Sequence, residues 1–301
     1  MRESGTPLLS VVVPSVNGWE DLEGCLAALD RERDSLALEV LVPERCGAVV
    51  RAAVAQRYPW VRLLPVTVAT SIPRMRALAF ASARAPTVAV IEDHVLVPAG
   101  WARQMVAARS DGVRVVGGGI VNGATRRTVD WAAFLCEYSH LLAPLTPGPA
   151  EWLTGNNTAY ERTLLEECRE VVEAGRWEDV LHEAFRLRGV ELWSRPDIVA
   201  QHKKHYRVGE YLSQRYLYAR AYAGDRVQGM SLGRRLAYGL SAFGLPPVLL
   251  ARIVSRIWRS GAHRAELARS LPLLGVFVTA WGLGEVAGAW FGAGDALSKV
   301  T

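Results

Sequence analysis

The chain has 301 residues, half of them apolar, enough to bury a full core and to form one large α/β domain with a smaller appendage, which excludes a small disulfide-stapled module. Its net charge of +5 is uneven: residues 203–269 carry 13 Lys/Arg against 3 Asp/Glu, a balance of +10 that leaves the rest at −5. A basic segment beside long apolar runs suits an anionic lipid surface, and no basic-aromatic recognition motif accompanies it, which argues against nucleic acid.

In chain order, residues 8–13, 38–42, 61–64, 87–91 and 113–116 read as strands, with helices expected over 19–30, 48–56, 73–83 and 101–108. Such alternation builds right-handed crossovers and a mostly parallel sheet with ligands at the carboxyl ends of its strands, so the expected class is α/β, Rossmann-like. Residues 131–142 look amphipathic, and 143–149, with three prolines, reads as a mobile loop. Helical spacing returns at 161–174 and 179–188, and short strands are expected at 190–193 and 198–201. Cys25, Cys46, Cys136 and Cys168 include no C-x-x-C pair and read as reduced, mostly buried thiols of a cytosolic protein. The apolar run at 8–13 is too short for a signal-peptide core and ends at Pro14.

Two C-terminal apolar stretches follow, 236–251, interrupted by Pro246-Pro247, and 271–294, broken by Glu285. At ~1.5 Å per residue the second can cross a hydrocarbon core of ~30 Å and the first is marginal. Were both to cross, Arg252, Arg256, Arg259, Arg264 and Arg269 would face outward, against the positive-inside bias, so the first is expected to lie in the interface or re-enter. Burial of both in a helical subdomain is the alternative. The expected division is a catalytic region over 1–225 and a basic, apolar, membrane-associating helical region over 226–301.

The chemistry concentrates at Glu92-Asp93-His94, after the strand at 87–91 and before Pro98-Ala99-Gly100-Trp101. Two carboxylates and an imidazole at a strand end make a site for a divalent metal carrying a diphosphate, which points to a nucleotide-sugar donor. Read alone, the same residues make an ordinary acidic turn.

From about residue 9 to 220 the pattern resembles the family 2 glycosyltransferases of GT-A fold. Ser10-Val11-Val12-Val13-Pro14-Ser15-Val16-Asn17 is similar to that family's first strand and turn, and the resemblance implies that Pro14 and Ser15 meet the base and ribose. Glu44 stands where the family has a base- or ribose-binding Asp, although a solvated loop carboxylate would look the same. Met75-Arg76-Ala77-Leu78-Ala79 resembles Ala-Arg-Asn-x-Gly, with Arg76 keeping the base-contacting position; its other reading is an exposed helix arginine. Glu92-Asp93-His94 resembles the Asp-x-Asp motif in its Asp-x-His form, which implies Glu92 and His94 as ligands of Mn²⁺ or Mg²⁺ and Asp93 on the ribose or metal.

Gly155-Asn156-Asn157 looks like the acceptor-side loop Gly-Gly-Asn-x-Ala-Phe, with helix capping as the alternative. Trp177-Glu178-Asp179-Val180-Leu181 resembles Glu-Asp-x-x-Leu, which implies Asp179 as catalytic base and Glu178 as its orienter; a charged first helical turn would give the same letters. Pro196-Asp197-Ile198-Val199-Ala200-Gln201-His202 resembles Pro-x-Ala-x-Val-x-His, which implies His202 as a further metal ligand, where a histidine in a basic run otherwise reads as surface. Residues 280–288, with Trp281 and Glu285, are similar to a tail on some membrane-bound relatives. The resemblance implies an inverting, metal-dependent transferase that moves a sugar from a UDP-type donor to a lipid-linked or membrane-proximal glycan. Its location would be the cytoplasmic face of the plasma membrane, attached through the C-terminal segments. The altered Arg76 and Glu92 motifs leave a second expectation, a catalytically degenerate membrane scaffold or binding protein.

Overall fold

The computed structural model describes residues 6–109, 112–142 and 145–300. Strands and helices alternate at first: β1 (Leu9–Val12), α1 (Trp19–Glu32), β2 (Leu38–Glu44), α2 (Ala48–Arg57), β3 (Arg62–Pro65), α3 (Ile72–Ser82), β4 (Thr87–Ile91), β5 (Val95–Leu96), α4 (Trp101–Ala108) and β6 (Val115–Asn122). Then come α5 (Thr128–Tyr138), β7 (Gly148–Ala150), β8 (Asn157–Glu161), α6 (Arg162–Glu167), α7 (Arg169–Glu173), α8 (Glu178–Arg186) and β9 (Leu192–His202). Helices α9 (Val208–Arg226), α10 (Leu232–Ala242), α11 (Leu245–Ser260), α12 (Arg264–Phe291) and α13 (Ala296–Lys299) complete the chain. Compactness divides it into Met1–Gly123 with Leu145–Lys203, and Ala124–Pro144 with Lys204–Thr301.

The first unit is a mixed α/β layer structure around a mostly parallel sheet of order β3-β2-β1-β4-β8-β6-β9-β5, with β7 on β9. β1 and β4 are buried along their whole length, as strands covered by helices on both faces must be, and both are apolar and β-branched. Helix α1 turns Leu22, Cys25, Leu26 and Leu29 inward at helical spacing. β8 runs antiparallel between β4 and β6. β1, β2, β4, β6 and β9 therefore all end at one edge of the sheet, where β8 begins, with Asn157 opposite Ile91.

Three local expectations are corrected. The strands expected at 190–193 and 198–201 are one strand, β9, because its register against β6 jumps between Gly118↔Arg195 and Gly119↔Val199 and the intervening residues bulge. Pro196, which has no N–H to offer a ladder, sits in that bulge at no hydrogen-bond cost. The helix at 161–174 breaks at Cys168 into α6 and α7, which lets Leu164, Leu165, Val171 and Val172 meet one core. Of the expected loop at 143–149, residues 143 and 144 lie outside the described residues, while Gly148–Ala150 pairs with Leu192–Ser194 as an edge strand.

The second unit is helical. Val129, Ala132 and Ala133 of α5 pack with Tyr211 of α9 and Phe277 of α12. Helices α9 and α12 approach closely at Gly284 and Gly288, where a Cβ would stand 2.4 Å from the carbonyl oxygens of Tyr216 and Arg220 respectively. The stretch expected at 236–251 is split, with Pro246 and Pro247 opening α11 at 49° to α10. By length and composition α12 could cross a membrane, as could the bent α10–α11 pair taken as one span.

Candidate active site

At the shared strand edge, Glu92 follows β4, His94 lies two residues on, and His202 ends β9. The His94 and His202 Nε2 atoms are 2.9 Å apart, and Glu92 Oε2 lies 3.3 Å from the first and 3.9 Å from the second. Two imidazole nitrogens this close share either a proton or a cation. Ligands held ~2.1 Å from one ion stand about 3.0 Å apart when cis in an octahedron, so the donor set fits a borderline divalent ion with little movement.

Asp93 serves this cluster from behind. It is fully buried, and its Oδ2 accepts the Val16 and Asn17 N–H groups at 2.8 and 2.9 Å. Its Oδ1 accepts Asn17 Nδ2 at 2.7 Å and faces His94 Nδ1 at 3.0 Å. With both oxygens engaged inside the protein, Asp93 orients His94 and ties the end of β1 to the end of β4. A His94 Nδ1–H bonded to Asp93 leaves Nε2 as the ligand lone pair.

Electrostatics follow from this packing. Burial alone would raise Glu92, but His94, His202 and Arg76 outweigh it and hold the carboxyl well below the usual range. Burial would likewise lower His94, yet the Asp93 and Glu92 carboxylates outweigh it and raise the imidazole to about 9.

The loop before β8 supplies the next layer. Asn156 Nδ2 donates to Glu92 Oε2 at 3.0 Å, and its Oδ1 accepts the Thr154 hydroxyl. Gly155 lies against Glu178 of α8: a Cβ there would be 2.3 Å from Glu178 Oε1. Glu178 Oε2 accepts Arg76 Nη1 of α3 at 2.8 Å, and the guanidinium also lies over the Trp177 ring at 5.9 Å. Arg76 is therefore a buried ion-pair partner, not an exposed helix residue. Glu92, Asn156, Gly155, Glu178 and Arg76 form one connected row. Asp179, beside it, is exposed and accepts the Val180 N–H at 2.9 Å.

Asn157 is held by internal bonds. Fully buried, it donates through Nδ2 to the Gly119 and Ile198 carbonyls at 2.8 and 2.9 Å and accepts Trp101 Nε1 at 2.9 Å. Those carbonyls flank the β6–β9 bulge, so Asn157 satisfies groups the bulge orphans.

On the donor side Pro14, Ser15 and Glu44 are buried. The Ser15 backbone is bonded to Pro43 O and Arg45 N, and Glu44 accepts the Gly47 N–H at 2.7 Å and Arg51 at 3.3 Å. Ser15 and Glu44 thus prolong the β1–β2 pairing beyond β1, and Glu44 satisfies the start of α2. Asn17 is the residue the sequence reading passed over. Its signal was its position directly after the first strand, opposite the acidic turn.

The mostly parallel sheet flanked by helices is similar to the GT-A glycosyltransferase fold. The crystal structure of GalNAc-T7 with UDP, GalNAc and Mn²⁺ superposes with a TM-score of 0.52 at 16% identity, over 68% of this chain and 45% of its own. The present chain thus spans less than half of that protein's length. The mannosyltransferase PcManGT from Pyrobaculum calidifontis, in complex with GDP-Man and Mn²⁺, gives 0.49 at 18% identity over 95% and 74% of the two chains. No protein-family model and no curated protein matches the sequence.

Proposed function

We propose that this protein is a metal-dependent glycosyltransferase that moves a sugar from a nucleotide donor, and that it is an inverting enzyme of the family 2 type. The observation that carries the reading is the convergence of Glu92, His94 and His202 at the strand edge, next to the Arg76–Glu178 pair. A divalent ion on those three side chains supplies the positive charge that a departing nucleoside diphosphate requires.

The chain's own residues account for the rest. Asp93, itself held by Asn17, fixes the His94 ring, and Asn156 aims Glu92. Arg76 holds Glu178 and with it the first turn of α8, from which Asp179 faces solvent as the base. In the transfer, the acceptor oxygen bonds to the anomeric carbon as the bond to the diphosphate oxygen breaks, and the hydroxyl proton passes to the Asp179 carboxylate. A UDP-linked donor, a lipid-linked or membrane-proximal glycan acceptor, and attachment through the C-terminal helices to the cytoplasmic face of the plasma membrane belong to the same reading. Asn156 and Gly155 remain its acceptor-side residues.

A second reading has one observation in its favour: the internal engagement of Glu44 and Ser15 weakens the donor pocket, as a catalytically degenerate binding protein would allow. Calorimetry with UDP, with and without Mn²⁺, followed by a screen of nucleotide-sugar hydrolysis, separates the two. Metal-dependent UDP binding with turnover supports the transferase; UDP binding without turnover of any donor supports the degenerate protein. An Asp179→Asn variant that keeps full transfer rules out the assigned base, and loss in Glu178→Gln alone moves that role to Glu178.

A further inference from the structure

Helix α10 leaves an apolar stripe uncovered: Leu232, Leu236, Leu240 and Phe243, spaced four, four and three residues apart, are 70%, 45%, 62% and 57% exposed. That spacing puts them on one helix face. Helix α11, bent 49° from it, exposes Val248 and Trp258 together with Arg252, Arg256 and Arg259, the arginines again at one-turn intervals. An apolar stripe followed along the chain by a row of exposed guanidinium groups and an exposed tryptophan has the chemistry of a bilayer's headgroup region, with acyl chains for the stripe and phosphates for the cations. The charge complementarity selects an anionic surface.

The same unit argues against a simple span. Glu285, buried within α12, accepts Tyr238 Oη at 2.8 Å, Arg226 at 3.2 Å and Trp281 Nε1 at 3.2 Å. Around the end of α12, Arg235 donates to the Ala289 and Trp290 carbonyls and Arg220 to that of Gly292. A crossing α12 would carry the Arg226–Glu285 pair toward hydrocarbon, where a guanidinium and a carboxylate are both unfavourable.

The geometry points to α10 and α11 as an in-plane docking surface for an anionic lipid bilayer, with Leu232, Leu236, Leu240 and Phe243 entering the acyl boundary and Arg252, Arg256 and Arg259 lying on lipid phosphates. This deepens the membrane location proposed above and is independent of the chemistry at Glu92.

The test is co-sedimentation of the full chain with vesicles of phosphatidylcholine alone or with 30% phosphatidylglycerol. The expected result is binding to the anionic vesicles that falls as salt rises and is released by alkaline carbonate. A Leu240→Ser/Phe243→Ser variant loses about tenfold in affinity. An Arg252→Gln/Arg256→Gln/Arg259→Gln variant loses more than tenfold on anionic vesicles only. Both alter exposed residues, and their thermal melts and Mn²⁺-dependent UDP calorimetry report folding and the catalytic unit separately from docking. The proposal is overturned by absence of vesicle binding, by equal binding to both compositions that resists carbonate, which marks a span, or by a dimer-to-monomer shift in the apolar variant with vesicle binding unchanged, which marks a second copy as the occupant.

Discussion

Replacing Asn157 by alanine tests the separation of support from chemistry most directly. The side chain is fully buried and makes three hydrogen bonds, to Gly119 O, Ile198 O and Trp101 Nε1, all at 2.8–2.9 Å. Truncation leaves three buried polar groups without this partner, at about 1–3 kcal/mol each. Allowing for relaxation of the bulge, the variant should lose ~4 kcal/mol, a large share of a typical 5–15 kcal/mol. Asn157→Asp keeps the shape but sets a carboxylate oxygen against two carbonyls, so at neutral pH it should be at least as damaging. Urea titration followed by tryptophan fluorescence measures both. If Asn157→Ala shifts the unfolding free energy by less than about 0.5 kcal/mol and raises the acceptor KM instead, the structural assignment is wrong and Asn157 is an acceptor contact.

Gly155→Ala should displace Glu178, because the new methyl falls 2.3 Å from its carboxylate oxygen; transfer is expected to drop at least ~10-fold with the far-ultraviolet dichroism unchanged. His202→Ala should weaken Mn²⁺ binding by ~10-fold or more by calorimetry, and an unchanged affinity would remove His202 from the metal site. Buried His182 of α8, whose Nε2 meets Tyr160 Oη at 3.0 Å, is lowered from 6.5 to about 3 by burial and then by Arg186 and Arg76. The unfolded chain therefore takes up this proton first, so stability is full above pH ~6.5 and falls toward pH 3, by at most about 5 kcal/mol. His182→Leu should start less stable at neutral pH and show a shallower loss across that window in urea midpoints.

The strands at 87–91 and 38–42 were legible because β-branched apolar runs have one stable place, inside a sheet covered on both faces, although the second runs on to Glu44. Glu92 and His94 were legible because a strand end followed by acidic and imidazole groups faces the ligand edge whatever the rest of the chain does. The internal partners of Asn157 and Asp93 were not legible for one reason: they are distant in sequence. Asn157 answers a bulge created by the register of two other strands, and Asp93 answers backbone N–H groups 76 and 77 residues away.

The apolar pattern by itself determined that this chain forms alternating strands and helices with acidic and imidazole groups at the carboxyl edge, since burial of apolar faces is a local property of composition and spacing. Only the tertiary structure decided that His202 meets His94, that Arg76 meets Glu178, and that Glu44 and Asp93 spend their oxygens inside the protein. A hydrogen bond needs its partner within about 3 Å, and which residues meet at that range is fixed by strand order and register.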